Sequence, residues 1–149
     1  MKKLLVCLLI LTIPTISFSV LIEHWSYEKM LERADLVVIA KSLSTQEILE
    51  DSKLPDGSTW DVVGLATQLE VRAVLKGDKN LKSFTLHHYR QKTPEEVIPN
   101  GPSFVLFDPK HHQKYLLFLK KESDGRYSPV TGQVYPALFS VLKLNGVAE

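Results

Sequence analysis

Two pairs of adjacent histidines are the residues of this chain with the clearest capacity for chemistry. His87 and His88 lie in the stretch LHHYR, and His111 and His112 lie in PKHHQKY. Histidine is the commonest metal ligand in proteins. A metal site would take one histidine from each pair and a carboxylate as third ligand. The carboxylates that lie between or beside the two pairs are Glu95, Glu96 and Asp108.

The spacing within each pair argues against a shared ion. Neighbouring residues on a strand point to opposite faces, so His87 and His88 cannot easily bind one metal together. The chain has neither a strand-type H-x-H nor an H-E-x-x-H helix. In the alternative, structural interpretation, His111 and His112 are exposed in a turn, and His87 or His88 caps the edge of the fold. Both interpretations remain open at this point.

Motifs for catalysis or for cofactor binding are missing from the sequence. There is no G-x-S-x-G nucleophile elbow, and each glycine is isolated rather than part of a phosphate-binding loop. The acidic residues show no pairing that is typical of glycoside hydrolysis. We therefore predict neither an enzyme nor a bound cofactor, and we assign no catalytic residue.

The amino-terminal segment has the pattern of a secretory signal peptide. Two lysines at positions 2 and 3 precede an apolar run over 4–13, and Ser17 and Ser19 are small residues at the −3 and −1 positions of a cleavage site. The run is shorter than the ~20 residues needed to span a bilayer. The pattern predicts a signal peptide over 1–19, cleavage between Ser19 and Val20, and export to the periplasm or the exterior. Whether the product is released or retained in an envelope stays open.

Removal of the signal peptide changes the composition that matters for function. It leaves 130 of the 149 residues, 16 basic residues against 17 acidic ones, and no cysteine, because Cys7 is the only one. No disulfide can form, and 130 residues suit one domain over 20–149. The near-neutral charge favours neither nucleic acid nor an anionic membrane as partner. The rest of the chain has no second long apolar run, so we predict no membrane span after cleavage.

The elements that must position these residues are mostly strands. Ser26 is a candidate helix N-cap before a short helix over 27–33, with Trp25 and Met30 placed for a hydrophobic staple. Long polar loops are predicted over 43–60 and 91–102, and these are the best candidates for a partner surface. The predicted strands cover 35–42, 59–75 with a bulge near Ala73, 81–90, 104–107, 114–120 and 126–131. This series predicts an all-β barrel or sandwich. The tail over 136–149 is left undecided between a strand and a helix.

Three stretches resemble a known family. ADLVVIAKS, TQLEVRAVLKGD and KYLLFLKK followed by GRYSPVTG resemble, in this order, the OB-fold domain of tissue inhibitors of metalloproteinases and netrin-like modules. The similarity is closest to the cysteine-free bacterial relatives and covers about residues 24–131. It implies a five-stranded OB-like Greek-key barrel and a secreted, non-catalytic module that binds another secreted or envelope protein.

The best-known activity of that family does not transfer to this chain. The eukaryotic inhibitors place an N-terminal cysteine on the zinc of a metalloprotease. Here the expected mature N-terminus is Val20, and no cysteine remains after cleavage. The resemblance therefore implies a fold and a binding role, and it assigns no functional residue. Metal binding by the histidine pairs is the alternative function.

Overall fold

The computed structural model describes residues 25–50, 61–93, 104–111, 113–132 and 140–144. The elements of this part of the chain are α1 (Tyr27–Arg33), β1 (Leu36–Ile48), β2 (Val62–Lys76), β3 (Ser83–Gln91), a 3-10 turn (Pro109–His111), β4 (Lys114–Lys121), β5 (Tyr127–Pro129) and β6 (Val141–Leu144). None of the helices described is long and apolar enough to cross a membrane. The predicted signal peptide and its cleavage position, Ser19 and Val20, lie outside the described residues.

The first five strands close into a barrel, which confirms the predicted fold class. Strand order is β1-β2-β3-β5-β4, and β1 pairs again with β4 to complete the ring. β5 is parallel to β3, and the other neighbours are antiparallel. β1 covers one edge of β4, so β5 and β6 share its other edge: β5 pairs with the end of β4 and β6 with its start. β3 and β4 are therefore not direct partners, as the predicted barrel requires.

The first strand is longer than the sequence pattern indicates. β1 continues to Ile48, so the prediction of a connection from residue 43 is wrong for 43–48. Those residues pair with the first half of β2, although their side chains are mostly exposed and polar, which is why they resemble a loop.

Register shifts leave Arg72 and Leu75 as extra residues on β2, on either side of the predicted bulge at Ala73. Such bulges increase strand bending and so assist barrel closure.

Residues 104–107 do not form the predicted strand. Val105 is nevertheless buried in the core, and its carbonyl oxygen accepts a hydrogen bond from a side chain of β3 rather than from a strand partner. An apolar run such as FVLF indicates burial, but it does not by itself specify backbone pairing. In the tail, residues 141–144 form β6.

The barrel interior is filled by alternating residues of its strands. They share near-complete burial, and they include Leu36, Val38, Ala40, Leu69, Leu86, Leu117 and Leu119. A second cluster lies outside the barrel, where Met30 of α1 and its C-cap residue Ala34 pack on Val37 and Phe118. Ser26 caps α1 by accepting a hydrogen bond from the Lys29 N–H at 3.2 Å. Trp25 packs against the cluster that contains Met30, which is consistent with the predicted staple.

Candidate functional site

The two histidines of β3 point to opposite faces of the barrel wall. His88 pairs in register with Leu65 and His87 with Ala66, and both rings are at least nine-tenths buried. His88 points into the barrel, where its ring meets that of Phe107 at 5.1 Å. His87 points outward beside Tyr89, with ring centroids 4.9 Å apart. The two side chains therefore lie in different environments, His88 inside the barrel and His87 on its outer face.

His88 lies in a chain of buried hydrogen bonds that fixes its proton. Its Nδ1 lies 2.9 Å from the Val105 carbonyl oxygen, which only accepts, so Nδ1 carries the hydrogen. In the neutral ring Nε2 is then the acceptor for the Thr67 hydroxyl at 2.7 Å. Thr67 in turn accepts from the Thr45 hydroxyl, also at 2.7 Å. This chain ties β1, β2 and β3 to the segment around Val105.

Burial keeps His88 neutral. Loss of solvation lowers the pKa of His88 from 6.5 to about 4, against the opposing effect of the Val105 hydrogen bond, and the charge of His87 lowers it further. A ring that is neutral at physiological pH and fully bonded inside a core has a structural role.

His87 lies between two glutamates that come from different parts of the chain. Its Nε2 lies 2.6 Å from Oε1 of Glu50, just beyond the end of β1. Its Nδ1 lies 2.9 Å from Oε2 of Glu122, at the end of β4. Carboxylates only accept, so both contacts are hydrogen bonds only when both ring nitrogens carry hydrogen. The arrangement therefore selects the imidazolium form.

The β4–β5 turn brings two more charges to the same place. The Glu122 N–H donates to the Arg126 carbonyl at 2.8 Å, and Gly125 adopts the left-handed φ of 91° that closes the turn. Arg126 Nε donates to Asp124 Oδ2 at 2.6 Å. The guanidinium also lies 3.7 Å from one oxygen of each glutamate. We call the group of Glu50, His87, Tyr89, Glu122, Asp124 and Arg126 the His87 cluster.

Gly64 provides the space for the Glu50 carboxylate. It lies on β2 opposite Tyr89, and a Cβ built on it would lie 2.7 Å from the Glu50 carboxyl carbon. A Cβ at that position would force the Glu50 carboxylate to move away. The absence of a side chain at position 64 therefore allows Glu50 to reach His87.

The cluster shifts the protonation equilibria of both its rings. Burial lowers the pKa of His87, but the hydrogen bonds and charges of Glu122 and then Glu50 outweigh it, so the net pKa lies above 6.5. Burial, with the charges of Glu50 and Glu122, raises the pKa of Tyr89 to about 12. His87 is therefore cationic and Tyr89 neutral at pH 6.5 and below.

The predicted metal ligands do not come together among the residues that the structure describes. Glu50 and Glu122 lie on opposite sides of the His87 ring, so the three cannot converge on one ion, and His88 faces the interior. His111 is exposed in the 3-10 turn, with Nδ1 2.5 Å from Asp108. No group of three metal-ligating side chains occurs in this part of the chain. Glu95, Glu96 and His112 lie outside it, and metal binding by the histidine pairs stays a prediction.

Two surface depressions flank these elements. A cleft of about 420 Å³ lies between the start of β3 and the β4–β5 turn, and Thr85, Lys121 and Arg126 are among its lining residues. An apolar groove of about 560 Å³ lies beside α1, lined in part by Tyr27, Leu31 and Leu75. Asp124 and Arg126 belong to both the cleft and the His87 cluster, so these two features adjoin.

Most of the His87 cluster was not identifiable from the sequence. The alternation of β3 predicts that His87 and Tyr89 share a face, and the structure confirms it. Glu50, Glu122 and Arg126 carried no motif, since their proximity depends on barrel closure. The sequence does contain one signal for part of the cluster. Ser123, Asp124 and Gly125 have the composition of a tight turn, which places the flanking residues Glu122 and Arg126 close together.

Comparison with known proteins adds no assignment: no protein-family model matches the chain, and no curated protein sequence matches it significantly.

Proposed function

We propose that this chain is an exported, non-catalytic binding module that binds another secreted or envelope protein on the outer face of β3. The observation that carries the proposal is the position of the His87 cluster. It lies between the end of β1 and the β4–β5 turn. In OB barrels the face of strands 2 and 3 and the loops at these two places bind oligonucleotides and oligosaccharides. We infer that this chain uses the same region to bind a protein.

The exposure of the cluster supports binding. The side chains of Glu50, Glu122 and Arg126 are each about one-quarter exposed, whereas His87 is 6% exposed. At 3.7 Å the contacts of Arg126 with the two glutamates are ion pairs rather than hydrogen bonds. A partner's carboxylate or carbonyl could therefore accept from Arg126 without displacing a hydrogen bond to either glutamate.

The same groups are poorly suited to catalysis. Both nitrogens of His87 contact carboxylates, so the ring has no lone pair with which to activate a nucleophile. A pKa of about 12 makes Tyr89 a weak acid. The signal-peptide pattern and the resemblance to netrin-like modules are the basis for export and for a protein partner.

Affinity capture with matched surface variants tests the proposal. The chain from Val20 onward is immobilised and exposed to secreted and envelope fractions. Arg126→Gln removes the charge from the cluster, and Arg72→Gln is the matched control, because Arg72 forms an exposed pair with Glu70 elsewhere on β2. We expect one protein to be retained by the wild type and by Arg72→Gln, and at least tenfold less of it by Arg126→Gln.

Two results would contradict the proposal. One is retention of no protein at all by the wild type. The other is equal retention by all three proteins combined with loss on Leu31→Lys, since Leu31 lines the apolar groove beside α1 and not the His87 cluster.

A further inference from the structure

We propose that His87 is a proton-dependent clamp, whose imidazolium form fastens two separate segments to the outer face of β3. Through Glu50 it holds the chain just beyond β1, and through Glu122 it holds the β4–β5 turn. The clamp can be tested without any partner. Only its consequence for binding, that pH sets the shape of the binding surface, rests on the proposed function.

The geometry of the ring makes the clamp depend on one proton. The imidazolium donates through Nδ1 and Nε2 at once, to Glu122 at 2.9 Å and to Glu50 at 2.6 Å. A neutral ring has one hydrogen and one lone pair. It can keep one bridge, while its lone pair would face the oxygens of the other glutamate. Loss of the proton therefore replaces one attraction by a repulsion.

The other charged groups described around His87 do not substitute for that proton. Tyr89, next but one on β3, stays neutral with its pKa of about 12. Arg126 is bonded to Asp124 at 2.6 Å and reaches the glutamates only at 3.7 Å. On β2, the residues paired with residues 87–89 of β3 are Gly64, Leu65 and Ala66, which carry no charge. Without the imidazolium, the charges that the described residues place here would be three carboxylates and one guanidinium.

The direction of the pH effect follows from the geometry and from the raised pKa of His87. A detached histidine titrates near 6.5, so the clamp is complete below that pH as long as the glutamates are ionised. It weakens as pH rises through the higher pKa of the closed form. For each unit between the two pKa values, protonation favours the closed over the open form about tenfold.

Spin labels at two exposed positions next to the bridges report closure directly. The only cysteine is Cys7, so a chain that begins at Val20 allows specific labelling of Leu49→Cys and Ser123→Cys. We expect a narrow distribution of label–label distances at pH 5.5 and a broader or longer one at pH 9. In the same chain, an NMR titration of the imidazole should give His87 a pKa above 6.5.

Variants separate the clamp from a general effect of pH. His87→Gln should give a distribution that does not change with pH, and Glu122→Gln should lower the midpoint of the transition because it removes one bridging charge. His111→Gln, at an exposed histidine paired with Asp108, should leave the wild-type behaviour intact. The proposal is overturned if the wild-type distribution is the same at both pH values, if the transition persists in His87→Gln, or if His87 titrates at or below 6.5.

Discussion

Replacement of His88 by glutamine should remove most of the acid sensitivity that this residue confers on the fold. Glutamine carries an amide hydrogen and a carbonyl oxygen, so it can donate to Val105 and accept from Thr67 as the neutral imidazole does. Unlike histidine it does not titrate. The variant therefore isolates protonation from packing more cleanly than an apolar replacement would.

The expected magnitude follows from the pKa of His88 in the two states. That pKa is about 4 in the folded protein and about 6.5 in an unfolded chain. Between these values the unfolded state binds more protons, so the free energy of unfolding falls as pH falls. At about 1.4 kcal/mol for each pKa unit, the wild type should lose about 3 kcal/mol between pH 7 and pH 4 through this residue alone.

Urea unfolding at pH 7, 6, 5 and 4, followed by circular dichroism, measures the effect as a difference between proteins. Carboxylates also titrate in this range, but they contribute to both wild type and variant and cancel in the difference. We expect His88→Gln to be less stable at pH 7 and to approach or overtake the wild type at pH 4. Parallel curves for the two proteins would refute the assignment of His88 as a buried neutral ring. His111→Gln should parallel the wild type.

Three further pairs of substitutions test separate features of the fold by unfolding or by NMR. Ser42→Ala should raise the free energy of unfolding by about 1 kcal/mol, because the buried Ser42 hydroxyl has no hydrogen-bond partner among the described residues. Thr67→Val should lower the free energy of unfolding by about 1–3 kcal/mol, because the Thr67 hydroxyl bonds to both Thr45 and His88. The opposite order of stabilities would contradict the hydrogen-bond assignment. Gly64→Ala should displace the Glu50 carboxylate, so the pKa of His87 in this variant should fall toward the pKa of His87 in the Glu50→Gln variant. An unchanged titration of the His87 imidazole would show that the position of Glu50 does not depend on the space at Gly64. Met30→Ala should lower the free energy of unfolding by about 3 kcal/mol, because Met30 is 2% exposed. Leu31→Ala, at 47% exposure on the same helix, should lower it by less than about 0.5 kcal/mol. Equal losses of stability would mean that α1 does not pack through Met30.

The sequence predicted the barrel better than it predicted the cluster, for a physical reason. Strand alternation is local, so it located the buried strand at 114–120 and the opposite faces of His87 and His88. The contact between Glu50 and His87 joins residues 37 positions apart and depends on the register of three strands. No local pattern contains that register. The polar end of β1 was missed because exposed strand residues and loop residues have the same composition.

The adjacent histidines acquire opposite acid–base behaviour from a single feature, the alternation of β3. The side chain that enters the barrel meets a hydroxyl and a carbonyl, and burial lowers its pKa. The side chain that leaves the barrel meets two carboxylates, and they raise its pKa despite burial. His88 therefore favours the fold as pH rises to about 6.5, and His87 favours it until pH exceeds its own higher pKa. The stabilising contribution of His88 is lost below about pH 6.5, and that of His87 is lost above it. Considered together, the two histidines therefore make the fold most stable near pH 6.5.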